Sequence, residues 1–330
     1  MRFCLTRREY LETLAAAAAA AVALIPAQAY AVDPWPSRPI KLVLGFPPGG
    51  NADALARLLA IKLNVLLGQP VVVENKVGAT GTICSAYVAQ SPADGYTLQL
   101  AHVSSNVIGP LLLARGRFDP IKDFTPIGMI GITTQLLTVN PKVPFKTVGD
   151  VISAAQSNPG KLTYMSAGIG SSPHLAGESF CSTAGIKMLH VPYKGTGEGM
   201  TSLIGGEVDM TFSSPGATLP HIQSGRLRAV AVCSATRLAR FPALPAVAET
   251  LPGYEAFTWY GLAAPAKMPP AVMSSLVSAL QTVLKKADVV RRLEELDVEM
   301  KPGTAADFQK FWTAEVAKYD KIITQSNIKV

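Results

Sequence analysis

The stretch Ile40-Lys41-Leu42-Val43-Leu44-Gly45-Phe46-Pro47-Pro48-Gly49-Gly50-Asn51-Ala52-Asp53 decides the fold. Five mostly apolar residues of strand character run into a glycine- and proline-rich turn. An amphipathic helical run to Leu67 follows at once. A strand that ends in such a turn and opens a helix leaves backbone N–H groups without intrahelical acceptors, and the helix dipole adds positive potential there. The turn is therefore a candidate anion site, with Phe46, Pro47, Gly49 and Gly50 as its ligand-facing residues. Asp53 fits either a helix cap or a contact with a cationic part of a ligand.

The same unit recurs along the chain. Val71 to Glu74 reads as a strand, the segment from Thr82 through Ala89 as a helix, and Thr97 to Ala101 as a third strand. A second series begins at Gln135 to Val139. Thr147 caps a helix that runs to Ser157, and Asn158-Pro159-Gly160 ends it. Leu162 to Met165 is a strand that meets a second glycine-rich turn, Ser166-Ala167-Gly168-Ile169-Gly170-Ser171-Ser172-Pro173-His174. Met188–Val191, Val208–Phe212, Leu227–Cys233 and Tyr260–Pro265 complete the strand-like runs. Pro269-Pro270 starts one tail helix and Thr304 caps another, with Phe308, Phe311, Trp312, Val316 and Tyr319 near helical spacing. Alternating strands and helices predict an α/β architecture of parallel type. Two lobes joined by extended crossings, with the ligand in the cleft between them, fit this order. The expected division is 32–133 with 256–330 as one lobe and 134–255 as the other.

At the second turn the backbone of Gly168 and Gly170 and the hydroxyls of Ser166, Ser171 and Ser172 suit a carboxylate better than a nucleotide. The P-loop and dinucleotide patterns are absent, and Gly170-Ser171-Ser172-Pro173-His174 breaks the G-x-S-x-G of serine hydrolases. No carboxylate pair for acid–base work accompanies either turn, so the chain reads as a non-enzyme. His102, His174, His190 and His221 lack metal-ligand spacing, and no metal or cofactor is expected. His174 stands apart because it falls in the first turn of a helix. Ser104 and Ser105 follow the third strand, and Ser213 and Ser214 follow the Val208–Phe212 run, at the ligand edge. Tyr193 and Lys194 follow another strand. Lys194 fits either an anion-neutralising contact or a solvated turn lysine.

The 330 residues, 48% hydrophobic and 16% charged, suffice for two ordinary lobes. The net charge of +7 is scattered, with no basic run interleaved with aromatics and hence no nucleic-acid footprint. Arg2, Arg7 and Arg8 precede an alanine-rich run from Leu14 to Ile25, and Ala27-Gln28-Ala29 and Ala29-Tyr30-Ala31 are cleavage candidates. Residues 1–31 thus read as an export signal, too short for a permanent membrane span. Thr6-Arg7-Arg8-Glu9-Tyr10-Leu11 fits twin-arginine export or an ordinary secretory signal with two arginines. The mature chain is expected as a periplasmic monomer that does not itself span the membrane. Cys84, Cys181 and Cys233 read as three buried thiols, or as one pair and one thiol that spacing does not choose.

Several ordered motifs resemble those of the Bug-type extracytoplasmic solute receptors of the tripartite tricarboxylate transporter systems. Trp35-Pro36-x-Arg38-Pro39-Ile40 is similar to the family's opening, and Phe46-Pro47-Pro48-Gly49-Gly50-x-x-Asp53 to its first binding turn. Ala93 to Leu98, the Phe118 to Phe124 segment, Gly168-x-Gly170-Ser171-x-x-His174-Leu175-Ala176, Val191 to Gly195, Leu203 to Asp209 and Leu219 to Ile222 continue the resemblance. It implies a two-lobed periplasmic binding protein fold of type II that closes on a small carboxylate held by Phe46–Gly50 and Gly168–Ser172, partly through water. It also implies delivery to membrane permease subunits. The chain departs from the pattern at Gly78-Ala79-Thr80-Gly81-Thr82, where relatives carry more glycine. It departs again at Ser213-Ser214, where relatives carry Asp or Asn. A sensor that docks a kinase would share this fold and site. A periplasmic hydrolase using Ser171 or Ser172 is the third reading, against which the broken serine motif counts.

Overall fold

The structure, a computed structural model, describes residues 35–113, 116–325 and 328; the expected export signal lies outside them. Residues 38–330 cluster as one compact unit built on two sheets.

The opening stretch folds as read. Strand β1 (Ile40–Leu44) leads through the first turn into helix α1 (Asn51–Leu67), which ends on Gly68 in the left-handed region (φ 69°). Strands β2 (Val71–Asn75) and β3 (Thr97–His102) pair parallel to β1 on either side, and α2 (Thr82–Ala89) connects them. A π-turn over Ser104–Ile108 and the short α3 (Gly109–Leu112) follow. Strand β4 (Phe124–Thr134) joins the same sheet, separated by Gln135 alone from β5 (Leu136–Val139) of the second sheet.

The second sheet contains β5, β6 (Thr163–Ser166), β7 (Leu189–Pro192), β8 (Met210–Ser213) and β9 (Arg228–Val232), in the order β7-β6-β8-β5-β9. Helices α4 (Val148–Ser157), α5 (Ser172–Ala184), α6 (Thr196–Gly205) and α7 (Pro215–Gln223) connect its strands. Thr147 and Asp150 cap α4 reciprocally, as the sequence predicts. The chain then returns to the first sheet as β10 (Phe257–Pro265), α8 (Pro270–Leu284), α9 (Ala287–Glu295), β11 (Glu299–Met300) and α10 (Ala305–Gln325). The first sheet reads β11-β4-β10-β3-β1-β2.

Both sheets are mixed rather than parallel. Strand β10 runs antiparallel to β3 and β4, and β5 runs antiparallel to β8 and β9. These are the strands by which the chain enters the second sheet and re-enters the first, directly after each crossing. The crossings are bonded together: Gln135 N–H donates to Ala256 O (3.2 Å), Cys233 N–H to Gln135 O (2.8 Å) and Ala256 N–H to Cys233 O (2.9 Å).

Each sheet has its own core. Tyr164, Phe180, Phe212 and Tyr254 centre the second, and Trp259, Phe308 and Trp312 the first. The aromatic face of α10 lies on β10, with Trp259 5.6 Å from Phe308 and 5.3 Å from Trp312 between ring centroids. Leu175 of α5 packs into the first sheet's core, so the two sides share apolar contact as well as crossing strands. Cys84, Cys181 and Cys233 are free and buried, and burial pushes each thiol up to about 12.

Candidate ligand-binding cleft

The first turn is organised from below by Asp53. Its buried carboxylate accepts from Gly49 N–H (3.1 Å), from Arg57 Nε (2.9 Å) and Nη2 (3.0 Å), and from Asn75 Nδ2 (3.0 Å). The Arg57 guanidinium, then Asn75 and Gly49, hold this carboxyl down to about 2. Asn75 also donates to Phe46 O at 2.9 Å, which ties both ends of the turn to β2. Asp53 thus serves the scaffold, and the Gly49 N–H belongs to it. Helix α1 opens at Gly50 with no side-chain cap, so its remaining first-turn N–H groups keep no side-chain acceptor. Pro47, Gly49 and Gly50 are exposed, while the Phe46 ring lies 4.5 Å from that of His102. His102, buried beneath it, accepts from Ser104 N–H through Nδ1 (3.0 Å), and burial pushes it down to about 3.

The second turn rests on two stacked histidines. Gly170 N–H donates to His174 Nδ1 (3.2 Å), and the His174 ring lies 3.9 Å from that of His190 at 21°. His190 Nε2 meets Ser166 Oγ at 2.6 Å, and Ser166 Oγ accepts from Gly168 N–H at 3.1 Å. Ser171 Oγ donates to Gly168 O at 2.6 Å. Gly168 and Gly170 adopt φ of 115° and 80°, which only glycine takes readily. Desolvation holds His174 near about 3 and His190 near about 4, so both rings are neutral at pH 7.

The two turns meet. Ser172 N–H, at the start of α5, donates to Ser104 Oγ (3.1 Å), and Ser172 Oγ lies 2.8 Å from Thr258 Oγ1 of β10. Thr80 Oγ1 donates to Ile169 O at 2.8 Å. Gly216, in the first turn of α7, lies so close to Asn51 that a Cβ there would stand 2.7 Å from Asn51 Nδ2. The start of α5 thus meets the segment after β3 and strand β10, and the start of α7 meets the start of α1.

Of the residues read from the sequence, Pro47, Gly49 and Gly50 are exposed, Phe46, Gly168 and Ser214 are partly buried, and Ser104, Gly170, Ser171 and Ser172 are buried, with Ser104 and Ser172 bonded to each other. Others are turned inward. Ser105 Oγ donates to Asn106 Oδ1 (2.7 Å), Ser213 Oγ pairs with Thr211 Oγ1 (2.7 Å), and Ser166 and His174 support the turn from behind. Tyr193 N–H donates to Ser166 O (3.1 Å), and its ring packs against Gly199. Lys194 is exposed and its N–H is held by Glu198 (3.0 Å). Sequence reading did not anticipate the contacts of Thr80 with Ile169, Thr258 with Ser172, or Gly216 with Asn51. Asn51 reads in the sequence as a possible cap of α1, but its side chain donates to Leu296 O and the helix opens at Gly50. Two surface grooves, of about 440 and 390 Å³, share no lining residue with the two turns. Among the described residues no group of three or more His, Cys, Asp or Glu is placed to hold a metal, and no helix is long and apolar enough to cross a membrane.

Comparison with known proteins gives the family and the fold. The profile described as tripartite tricarboxylate transporter family receptor matches residues 55–328. The structure of R. palustris Rpa4515 with adipate superposes with a TM-score of 0.82 at 34% identity, over 89% of this chain and 99% of that one. The periplasmic binding protein BugD gives 0.79 at 31% identity, over 89% and 99%. MatC of Rhodopseudomonas palustris with bound malate gives 0.79 at 27%, over 88% and 100%. With its two-lobed, type II-like fold, this chain belongs to the tripartite tricarboxylate transporter receptor family and is a solute-binding receptor, not an enzyme.

Proposed function

We propose that this protein captures a small organic acid in the periplasm and delivers it to the membrane subunits of a tripartite transporter. Residues 32–133 with 256–330 would form one lobe and 134–255 the other, each contributing one turn. The contact that carries the reading is Ser172 N–H on Ser104 Oγ, 3.1 Å across the cleft. A carboxylate oxygen inserted there would accept from the Ser172 N–H and from the Ser104 hydroxyl together. The uncapped first turn of α1 supplies further N–H groups, and charge-assisted bonds of this kind are the stronger ones. Ser171, Ser214 and the Phe46 ring would border the rest of the ligand. Adipate and malate in two relatives point to a dicarboxylate. No cationic side chain enters this account, so the first carboxylate is held by amides, hydroxyls and helix dipoles. Export rests on the basic, alanine-rich stretch 1–31 and on the periplasmic place of BugD.

A thermal-shift screen of mono-, di- and tricarboxylates, with the matching amides as controls, tests this. A ligand at ~100 times its Kd stabilises the fold by about 2.7 kcal/mol. Ser104→Ala should weaken the best acid by about 1 kcal/mol. A screen in which no acid shifts the midpoint, together with purified protein that carries no acid by native mass spectrometry, would refute it.

A further inference from the structure

Thr80 sits against its own backbone preference. Ala79 and Thr80 are consecutive left-handed residues with φ of 45° and 55°. A β-branched side chain is a genuine outlier there, although glycines flank the pair at 78 and 81. Such conformations persist only where their surroundings over-determine them. Here they do. A Cβ on Gly45 would stand 2.4 Å from Gly81 Cα, and one on Gly81 would stand 2.7 Å from Ser105 Cβ. Gly81 is thereby wedged between the start of the first turn and the π-turn. Thr82 Oγ1 donates to Ala79 O (2.6 Å) and Gly81 N–H to Gly78 O (2.9 Å).

From this platform Thr80 Oγ1 reaches Ile169 O, 89 positions along the chain, at 2.8 Å. Ile169 is the centre of the second turn. The N–H of the same peptide group, that of Gly170, donates to His174 Nδ1. One peptide plane of the second turn is thus held at its oxygen from the opposite lobe and at its nitrogen from its own helix. We propose that Thr80 is a positioning residue: its hydroxyl clamps the two lobes shut and fixes the second turn's peptide plane, which sets how long the ligand is retained. When the lobes part, the hydrogen bond breaks, while the contacts of Gly81 and Thr82 within their own lobe keep the 79–80 backbone in place, so the hydroxyl is presented again each time the lobes close. The retention half rests on the carboxylate reading above; the clamp does not.

The test uses the mature chain with spin labels at Val65→Cys and Thr201→Cys, both exposed helix positions, in Thr80→Gly, Thr80→Val and Thr80→Ser backgrounds. Pulsed dipolar spectroscopy without ligand should move the Gly and Val variants to longer distances and leave Ser at the parent distribution. The unfolding midpoint of the Gly variant should not fall, because glycine relieves the left-handed strain at this position. With adipate as probe, dissociation should speed about 5-fold in Gly and Val and return in Ser, as expected for one neutral hydrogen bond. Unchanged distances in both Gly and Val overturn the clamp, whether or not adipate binds. Shifted distances in a protein that does not bind adipate uphold the clamp and remove the retention half.

Discussion

Four donors converge on the carboxylate of Asp53, and two come from Arg57, one helical turn along α1. The carboxyl falls from 3.8 to about 2 in the folded chain. At about 1.4 kcal/mol per pKa unit this is on the order of 2 kcal/mol of stability. Because the folded value is depressed, that contribution is complete above pH ~4 and is lost as pH falls through about 2. Asp53→Asn should therefore lower the unfolding free energy by about 2 kcal/mol at pH 7 in denaturant melts. An unchanged midpoint would mean that Arg57 and Asn75 find other partners at no cost. The Asp53–Arg57 spacing is visible in the sequence, and so is the glycine-rich turn above it. The left-handed backbone of Thr80 is not, because nothing in Gly78-Ala79-Thr80-Gly81-Thr82 marks which residue takes positive φ.

Helix α5 carries its first-turn histidine onto β7, where His174 and His190 stack, and Tyr164 of β6 also stacks with His190 at 5.0 Å. Nδ1 of His174 accepts a hydrogen bond only while that nitrogen is unprotonated. Burial holds the pair near about 3 and about 4, below the ordinary 6.5. The unfolded chain therefore takes up protons first as pH drops. Stability is full above pH ~6.5 and declines below it, by about 1.4 kcal/mol per pH unit for each histidine. Glu178, raised by burial, opposes part of this trend. Denaturant melts from pH 7.5 to 4.5 should show a falling midpoint, with a shallower slope in His174→Gln. Equal slopes would assign the acid sensitivity elsewhere. At this scale helix ends were legible where caps obey local chemistry, as at Thr147 and Pro270. Strand β4 was not, because Pro126, Gly128 and Gly131 interrupt a run that pairs on both sides all the same. Strand direction escaped for another reason: β5 and β10 directly follow crossings between sheets, which leave no local mark.

Across the whole molecule, contacts between the two sheets' loops cluster on a few residues. Arg240, which follows β9, donates to Glu294 O at 2.8 Å and pairs with Asp297, whose side chain is only 5% exposed. Asn51 donates to Leu296 O in the same turn at 3.2 Å. The turn 294–297 therefore links the second sheet's loop to the start of α1. Removing one partner leaves the other charge buried alone. Arg240 is half exposed, so solvent screens part of this, and Arg240→Gln should cost about 1–2 kcal/mol. Asp297→Asn keeps a side chain that tolerates the left-handed φ of 60° and should recover part of the loss in the double variant. Additive effects in the double-mutant cycle would show the pair to be uncoupled. The two-series organisation was readable from strand and turn order. The residues that cross the cleft were not, since Thr80–Ile169 and Ser104–Ser172 join positions 89 and 68 apart that only docking brings together.

The position of β10 has a consequence for the order in which the molecule can be built. The second sheet draws all five strands from one continuous stretch, 136–232, and is complete once that stretch has been synthesised. The first sheet waits, because β10 lies between β3 and β4 and its residues come only after position 256. Closing that pairing spans more than a hundred residues, a slow, non-local step. A nascent chain that stops before Phe257 would hold one finished sheet beside a split one. Its β3 and β4 edges would stand unpaired and open to pairing with another chain.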